Sequence, residues 1–244
     1  MKKVYFIIIG LCFLVVSCQN EPKYGFDVIE LMKSKYQNTW YKNFTFAQHV
    51  NKYKNDSVIS KEIWYEAYSY PNKLIIKFND FSSGSGVLFN NDTVYHFKDS
   101  MLVTHYKRIH DLVLLGLDVY EQPVEVNFEK LKELGYNLSK MCEATFGGRE
   151  MYCIGVTDEQ EQANKFYIDK EFLYFVKNVK FQGDDINETV FSNYQTIDDK
   201  LVATKILFYK NNQLIMDEEY FNIKFPEELD QNIFEPSNFL NANW

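Results

Sequence analysis

The chain reads as an α+β protein, mostly antiparallel β, and three observations predict that class. Aromatic side chains make up 17% of the 244 residues, with 21 Phe and 18 Tyr against only 10 Gly and 5 Pro, a balance that suits pleated surfaces with Gly and Pro kept to turns. Apolar residues recur with period two through most of the chain, and the breaks carry Asn, Asp and Gly pairs that tolerate positive φ. Helical spacing is confined to one segment near the start and two short ones in the middle.

Met1, Lys2 and Lys3 lead into the apolar run Val4 to Val16, which stops at Val15-Val16-Ser17-Cys18. A basic start, an apolar core too short to span a bilayer comfortably and a small residue before the cut describe an export signal. With cysteine next, the segment resembles a lipoprotein signal. That resemblance implies cleavage after Ser17, diacylglyceryl attachment to the Cys18 sulfur and acylation of the new amino terminus; an ordinary secretory signal and a true membrane anchor are the alternatives. Two or three acyl chains hold a protein on a bilayer stably where one would not. The expected organisation is a signal at 1–17, an anchor and short tether at 18–25, reaching about 20 Å, and a single domain at 26–244.

Losing Lys2 and Lys3 moves the formal charge from −8 to about −10. An acidic chain with no basic stripe has no electrostatic footprint for nucleic acid or for anionic lipid, so membrane contact is assigned to the anchor. The remaining chain, 46% hydrophobic and 25% charged over the whole sequence, can bury one sizeable core. No internal repeat, low-complexity tract or linker divides it.

The elements follow in order. Phe26, Ile29, Met32, Tyr36 and Trp40 recur at helical spacing, with Asp27 near the positive end of the dipole. Phe44, Phe46 and Val50 then alternate with Thr45, Ala47 and His49, and Leu74, Ile76 and Phe78 with Lys73, Ile75 and Lys77. Hairpin turns are expected at Asn90-Asn91-Asp92, Lys98-Asp99-Ser100, Gly147-Gly148, Gly183-Asp184-Asp185, Asp198-Asp199 and Asn211-Asn212, which makes a meander. The middle, Ile109 to Glu121 and Asn127 to Leu134, reads as two short helices, the first apolar almost all round except for Asp111 and Asp118, which read as a solvated stripe. Later strands are apolar on both faces: Phe175, Val179 and Phe181 against Tyr174 and Val176, and Val202, Ile206 and Phe208 against Leu201, Ala203, Leu207 and Tyr209. Something must cover both sides of such a sheet, whether helices, a second layer or an apolar ligand. Phe225 to Asp230 reads as a short helical turn, followed by an irregular tail.

No residue stands out as catalytic. His49, His96, His105 and His110 lack a helical partner or a nucleophile motif, the Asp pairs belong to turns, and Ser83-Gly84-Ser85-Gly86 lacks the lysine and helix of a phosphate loop. No metal site and no cofactor is expected. Cys12 leaves with the leader. A turn at Gly147-Gly148 sets Cys142 opposite Cys153 at a hydrogen-bonded pair with α-carbons about 5.5 Å apart, within disulfide range; a disulfide and two reduced thiols both stay open.

The order of parts resembles the outer-membrane lipoprotein-sorting family, the LolA- and LolB-like proteins, in the form of a Bacteroidetes-type lipoprotein. The matching pieces are the first helix before Asn43-Phe44-Thr45-Phe46-Ala47-Gln48, the strand Tyr70 to Phe78, the Gly86 to Tyr95 hairpin, Phe166-Tyr167-Ile168-Asp169 and the strands before Phe225-Pro226. They span most of the exported chain, and their order carries the signal. The resemblance implies an unclosed, curved antiparallel sheet, a half-barrel, wrapped around the N-terminal and central helices. It also implies an apolar cup that takes acyl chains of lipoproteins or lipids. The expectation is a noncatalytic, lipid-anchored envelope protein at the outer membrane, facing the periplasm, with Leu112, Val113, Leu115 and Leu117 as candidate contacts. The rival expectation is a module whose cup is filled by its own aromatics and whose outer face docks an envelope protein partner.

Overall fold

A computed structural model describes residues 21–244; the expected signal, Cys18 and the first two tether residues, Gln19 and Asn20, lie outside the described residues. Helix α1 (Gly25–Tyr36) is followed by β1 (Asn43–Lys54), β2 (Ser57–Ser69), β3 (Lys73–Phe78), β4 (Gly86–Asn90), β5 (Thr93–Lys98) and β6 (Met101–Lys107). Helix α2 (Asp111–Gly116), a 3-10 turn at Asp118–Tyr120 and α3 (Val124–Glu133) come next. The chain then returns to β7 (Met141–Phe146), β8 (Arg149–Ile154), β9 (Lys165–Asp169), β10 (Phe175–Gln182), β11 (Asp185–Ile197), β12 (Lys200–Lys210) and β13 (Gln213–Lys224).

All thirteen strands form one antiparallel sheet in the order β6-β5-β4-β3-β2-β1-β13-β12-β11-β10-β9-β8-β7. The first and last strands pair at its centre, through Gln48 opposite Tyr220 and Val50 opposite Glu218. The free edges, β6 and β7, therefore come from the middle of the chain, and the connection between them carries α2 and α3 beneath the sheet. Hairpins form at every expected turn, with both central residues at positive φ in Asn91-Asp92, Asp99-Ser100, Asp198-Asp199 and Asn211-Asn212, the conformation that follows the twist of the flanking strands. A further pair, Asn55 and Asp56, turns β1 into β2.

The main core lies on the concave side. Val28, Ile29 and Met32 of α1, Val113, Leu114 and Leu115 of α2, and Leu131 of α3 pack there against Phe44, Tyr68, Phe166, Phe175 and Val202 of the sheet. Helix α1 stops at Tyr36, earlier than the spacing predicts, as Asn38 enters the left-handed region. Trp40 is nonetheless buried, stacked on Tyr120 with centroids 3.8 Å apart. The expected Ile109 to Glu121 helix breaks after Gly116, and Asp118 is not solvated but 1% exposed. Its carboxylate accepts the Tyr68 hydroxyl at 2.7 Å and the Asn72 N–H at 3.1 Å, which ties the central helices to the sheet.

The convex side is covered too, as the two-faced strands require. Ala67, Ile75, Leu88 and Phe97 lie under Ile233, Phe234 and Phe239 of the C-terminal tail. Its 3-10 turns sit at Gln231–Phe234 and Pro236–Asn241, one step later than the expected turn at Phe225 to Asp230. Gly86 lets the tail close down, since a β-carbon there would meet the Ile76 carbonyl oxygen at 2.0 Å and the Phe239 ring at 2.9 Å. At the other wing Met151, Cys153, Val156, Tyr167 and Val176 form a separate outer cluster.

Candidate functional site

Between the sheet and the helices lies a cavity of about 950 Å³ that opens to solvent. Its inner end is aromatic, lined by Trp40, Tyr41, Phe44 and Tyr68; the sheet wall carries Phe191, Val202 and Ile206, and α2 lines the helix side. Period two builds this surface. Phe44, Phe46 and Gln48 of β1 stand opposite Tyr68, Glu66 and Trp64 of β2, and cross-strand partners share a face. Gly116 brings α2 against the wall, where a β-carbon would stand 3.1 Å from the Phe191 ring.

Of the four leucine and valine candidates, Leu112, Val113 and Leu117 line the cavity. Leu115 does not. It is fully buried in the core, because the lining positions Leu112, Val113, Gly116 and Leu117 share one arc of the helix turn and Leu115 falls outside it, toward the body. Asp111 stands at the mouth, 3.2 Å from Lys180. His96 and His110 also line the cavity, whereas His49 and His105 stack on Phe221 and Tyr95. The His110 ring accepts the Val113 N–H, and burial drives its pKa down to about 4. Cys142 and Cys153 stand opposite each other as the turn requires, and both are free thiols, with burial pushing Cys153 up to about 12.

Sequence reasoning missed the polar residues of the cup floor. Glu66 and Glu218 are inward-facing members of the apolar sets Trp64-Glu66-Tyr68 and Met216-Glu218-Tyr220 and line the cavity, 6% and 8% exposed. The signal was present as a charge where the alternation called for an apolar residue. Burial, reinforced by the Glu218 charge, holds Glu66 well above the usual carboxylate range. Burial likewise pushes Glu218 up to about 8, with the Gln48 amide opposing and Asp217 adding to the rise.

The hairpin turns at Asn55-Asp56, Asp99-Ser100, Gly183-Asp184 and Asn211-Asn212 gather at one end of the sheet. Trp64, Phe78, Gln182, Asn187 and Met216 line the cavity toward that end. Around these tips Val58, Ile59, Met101, Val103, Ile186 and Ile215 are exposed. Among the described residues no helix is long and apolar enough to cross a membrane.

No protein-family model matches the chain, and no curated protein matches it. Solved structures do. An outer membrane lipoprotein-sorting protein domain from Vibrio parahaemolyticus superposes with a TM-score of 0.58 at 16% identity, over 88% of this chain and 97% of that one. A LolA superfamily protein from Nitrosomonas europaea gives 0.56 at 12% identity, over 88% and 98%. A DUF1329 family protein from Desulfovibrio piger gives 0.56 at 13%, over 87% and 96%. At such identities the likeness is one of fold. An unclosed antiparallel sheet wrapped around helices, shared along nearly the whole length of these structures, gives this chain the LolA-like fold.

Proposed function

We propose that this protein is a lipid-anchored envelope lipoprotein that binds acyl chains of lipoproteins or lipids in its cup, without catalysis, in lipoprotein sorting or lipid transfer. The observation that carries the reading is the cavity of about 950 Å³ with its aromatic inner end and the apolar wall of α2. That volume is at the upper end of small-molecule sites, and a core filled by its own side chains would leave no such space. The LolA-like fold of the neighbours supports the same reading. So does the ring of exposed apolar side chains at the mouth end of the sheet, since exposed apolar surface beside a greasy cup suits a site loaded from a membrane or a lipoprotein. Anchoring at Cys18 would hold the start of the folded body within about 20 Å of the bilayer, at the outer membrane facing the periplasm. Exchange needs no fuel at this site, because a chain that leaves one apolar surface for another loses and gains similar hydrophobic free energy.

The test starts from the chain beginning at Gln19, which contains every described element. Recovered from bacterial cells and weighed by native mass spectrometry, it carries stoichiometric acyl-chain cargo under this proposal, and Leu117→Asp removes the cargo with the fold intact by circular dichroism. A clean apo mass that takes up no added lysolipid or lipopeptide sinks the acyl-chain reading and favours a module that docks an envelope protein.

A further inference from the structure

Three polar side chains run diagonally across three adjacent strands at the cup floor: Glu66 of β2 and Glu218 of β13, which line the cavity, and between them Gln48 of β1, buried beneath the lining. Gln48 stands opposite Trp64 on one side and Tyr220 on the other. Both of those rings line the cavity, which fixes the Gln48 side chain on the inward face. It is fully buried, and although its amide lies close enough to Glu218 to oppose the rise of that acid, neither its nitrogen nor its oxygen completes a hydrogen bond among the described residues. Leaving such a group unpaired costs about 1–3 kcal/mol, so its retention beside two cavity-facing acids points to a partner that the folded chain does not supply.

The protein's own cations are placed elsewhere. Lys52, two strand steps nearer the mouth than Gln48, pairs with Glu62 at 2.6 Å; Lys180 pairs with Asp111 at 3.2 Å; Lys77 faces the outer side beneath Phe239. His96 and Arg108 line the mouth, and among the described residues neither forms an ion pair with Glu66 or Glu218. Asp217 and Tyr220 are the other titratable groups bearing on Glu218 and its strand, and neither supplies positive charge. Around the acids stand aromatic faces. Phe46 stacks on Tyr220 with centroids 4.2 Å apart, and Trp64 already takes one cation, with the Lys52 ammonium 5.4 Å from its centroid.

We infer that the Glu66–Gln48–Glu218 floor is a head-group site for a cationic amine, and that the cup's preferred ligand is an amphiphile carrying an amine on an apolar chain. The inference rests on the cup being a ligand site and names the class of ligand it selects. A neutral hydroxyl or ester would gain only ordinary hydrogen bonds to two neutral acids, and an anionic head would find no countercharge there and would face the negative faces of the surrounding rings. An ammonium group gains a charge-assisted bond to a carboxylate and the negative faces of the rings, and it gives the Gln48 oxygen a donor. Its arrival ionises one carboxyl, so one proton passes from that acid to the buffer while the amine keeps its own.

Calorimetric titration of the chain beginning at Gln19 at pH 7 with dodecylamine, dodecanol and dodecanoate, in two buffers of different ionisation enthalpy, tests this. The amine is expected to bind at least about tenfold tighter than the alcohol, with about one proton released per amine bound. The double variant E66Q/E218Q, which keeps shape and neutral hydrogen bonding, is expected to lose that preference and still bind dodecanol. Alcohol or carboxylate binding as tight as the amine, or an unchanged preference in the double variant, overturns the amine site and leaves the acyl-chain cup standing. No binding of any probe to the unaltered chain overturns the cup reading and this inference with it. Should the double variant fail to fold, the single variant E66Q and the proton count decide between the same outcomes.

Discussion

Asp118 carries a carboxyl into a place where water cannot follow, and the consequence is a pH-dependent stability. Burial pushes it up to about 6, against the opposing pull of the Tyr68 hydroxyl and the Asn72 N–H. Because the folded value lies above the unfolded one, near 3.8, the native state holds more protons between the two. Stability from this group is therefore fully present below about pH 4 and is lost as pH rises through 6, a difference of about 3 kcal/mol as an order of magnitude. Glu218, pushed up to about 8, acts in the same direction at higher pH. In Asp118→Asn the amide oxygen can accept the same two hydrogen bonds without the charge. Urea unfolding at pH 5 and pH 7 should show the parent losing stability across that interval and the variant losing markedly less; equal losses would mean that Asp118 is ionised at little cost.

At the scale of elements, the C-terminal tail is a structural layer. Its Phe239 ring lies parallel to Phe97 at 3.9 Å and over the Lys77 ammonium at 4.3 Å. Lys77, on the same strand face as Ile75, is fully buried there with no hydrogen-bond partner among the described residues, and burial lowers its pKa. Phe239→Ala removes the cover of an apolar sheet face and leaves an ammonium with less of the π surface that holds it. We expect a loss of about 3–5 kcal/mol, the range for a large buried aromatic. Leu240→Ala, next door but 46% exposed, should change stability by no more than about 0.5 kcal/mol. Denaturant midpoints of the two variants measure the contrast, and similar values would show that the tail is not part of the cooperative unit.

For the whole molecule, the important property is that the sheet does not close. A closed barrel would have no edges; here β6 and β7 stay apart, and α2 with α3 fills only part of the space between the wings. The folded state therefore carries open apolar surface that a ligand would cover and that the unfolded chain cannot offer in one place. A bound lysolipid at a hundred times its dissociation constant should add about 2.7 kcal/mol of stability. The melting temperature should accordingly climb with the logarithm of lysolipid concentration below its micellar limit. A melting temperature indifferent to lysolipid would mean that the cup does not bind it.

Much of the architecture was determined by local chemistry and is readable in the chain. Period two placed Phe44, Phe46, Leu74 and Ile76 on one face, paired Asn, Asp and Gly residues set the turns, and Gly147-Gly148 set Cys142 against Cys153. Those are short-range effects, decided by φ preference and strand pleat within a few residues. What covers each face was decided only in three dimensions. The pairing of β1 with β13, the burial of Asp118 and Lys77, the exclusion of Leu115 from the cup and the meeting of Gln48 with Glu66 and Glu218 all join residues far apart in the chain. Local periodicity specifies which way a side chain points, but not which distant segment packs against it, and on that contact depend both the burial of a charge and the presence of a cavity.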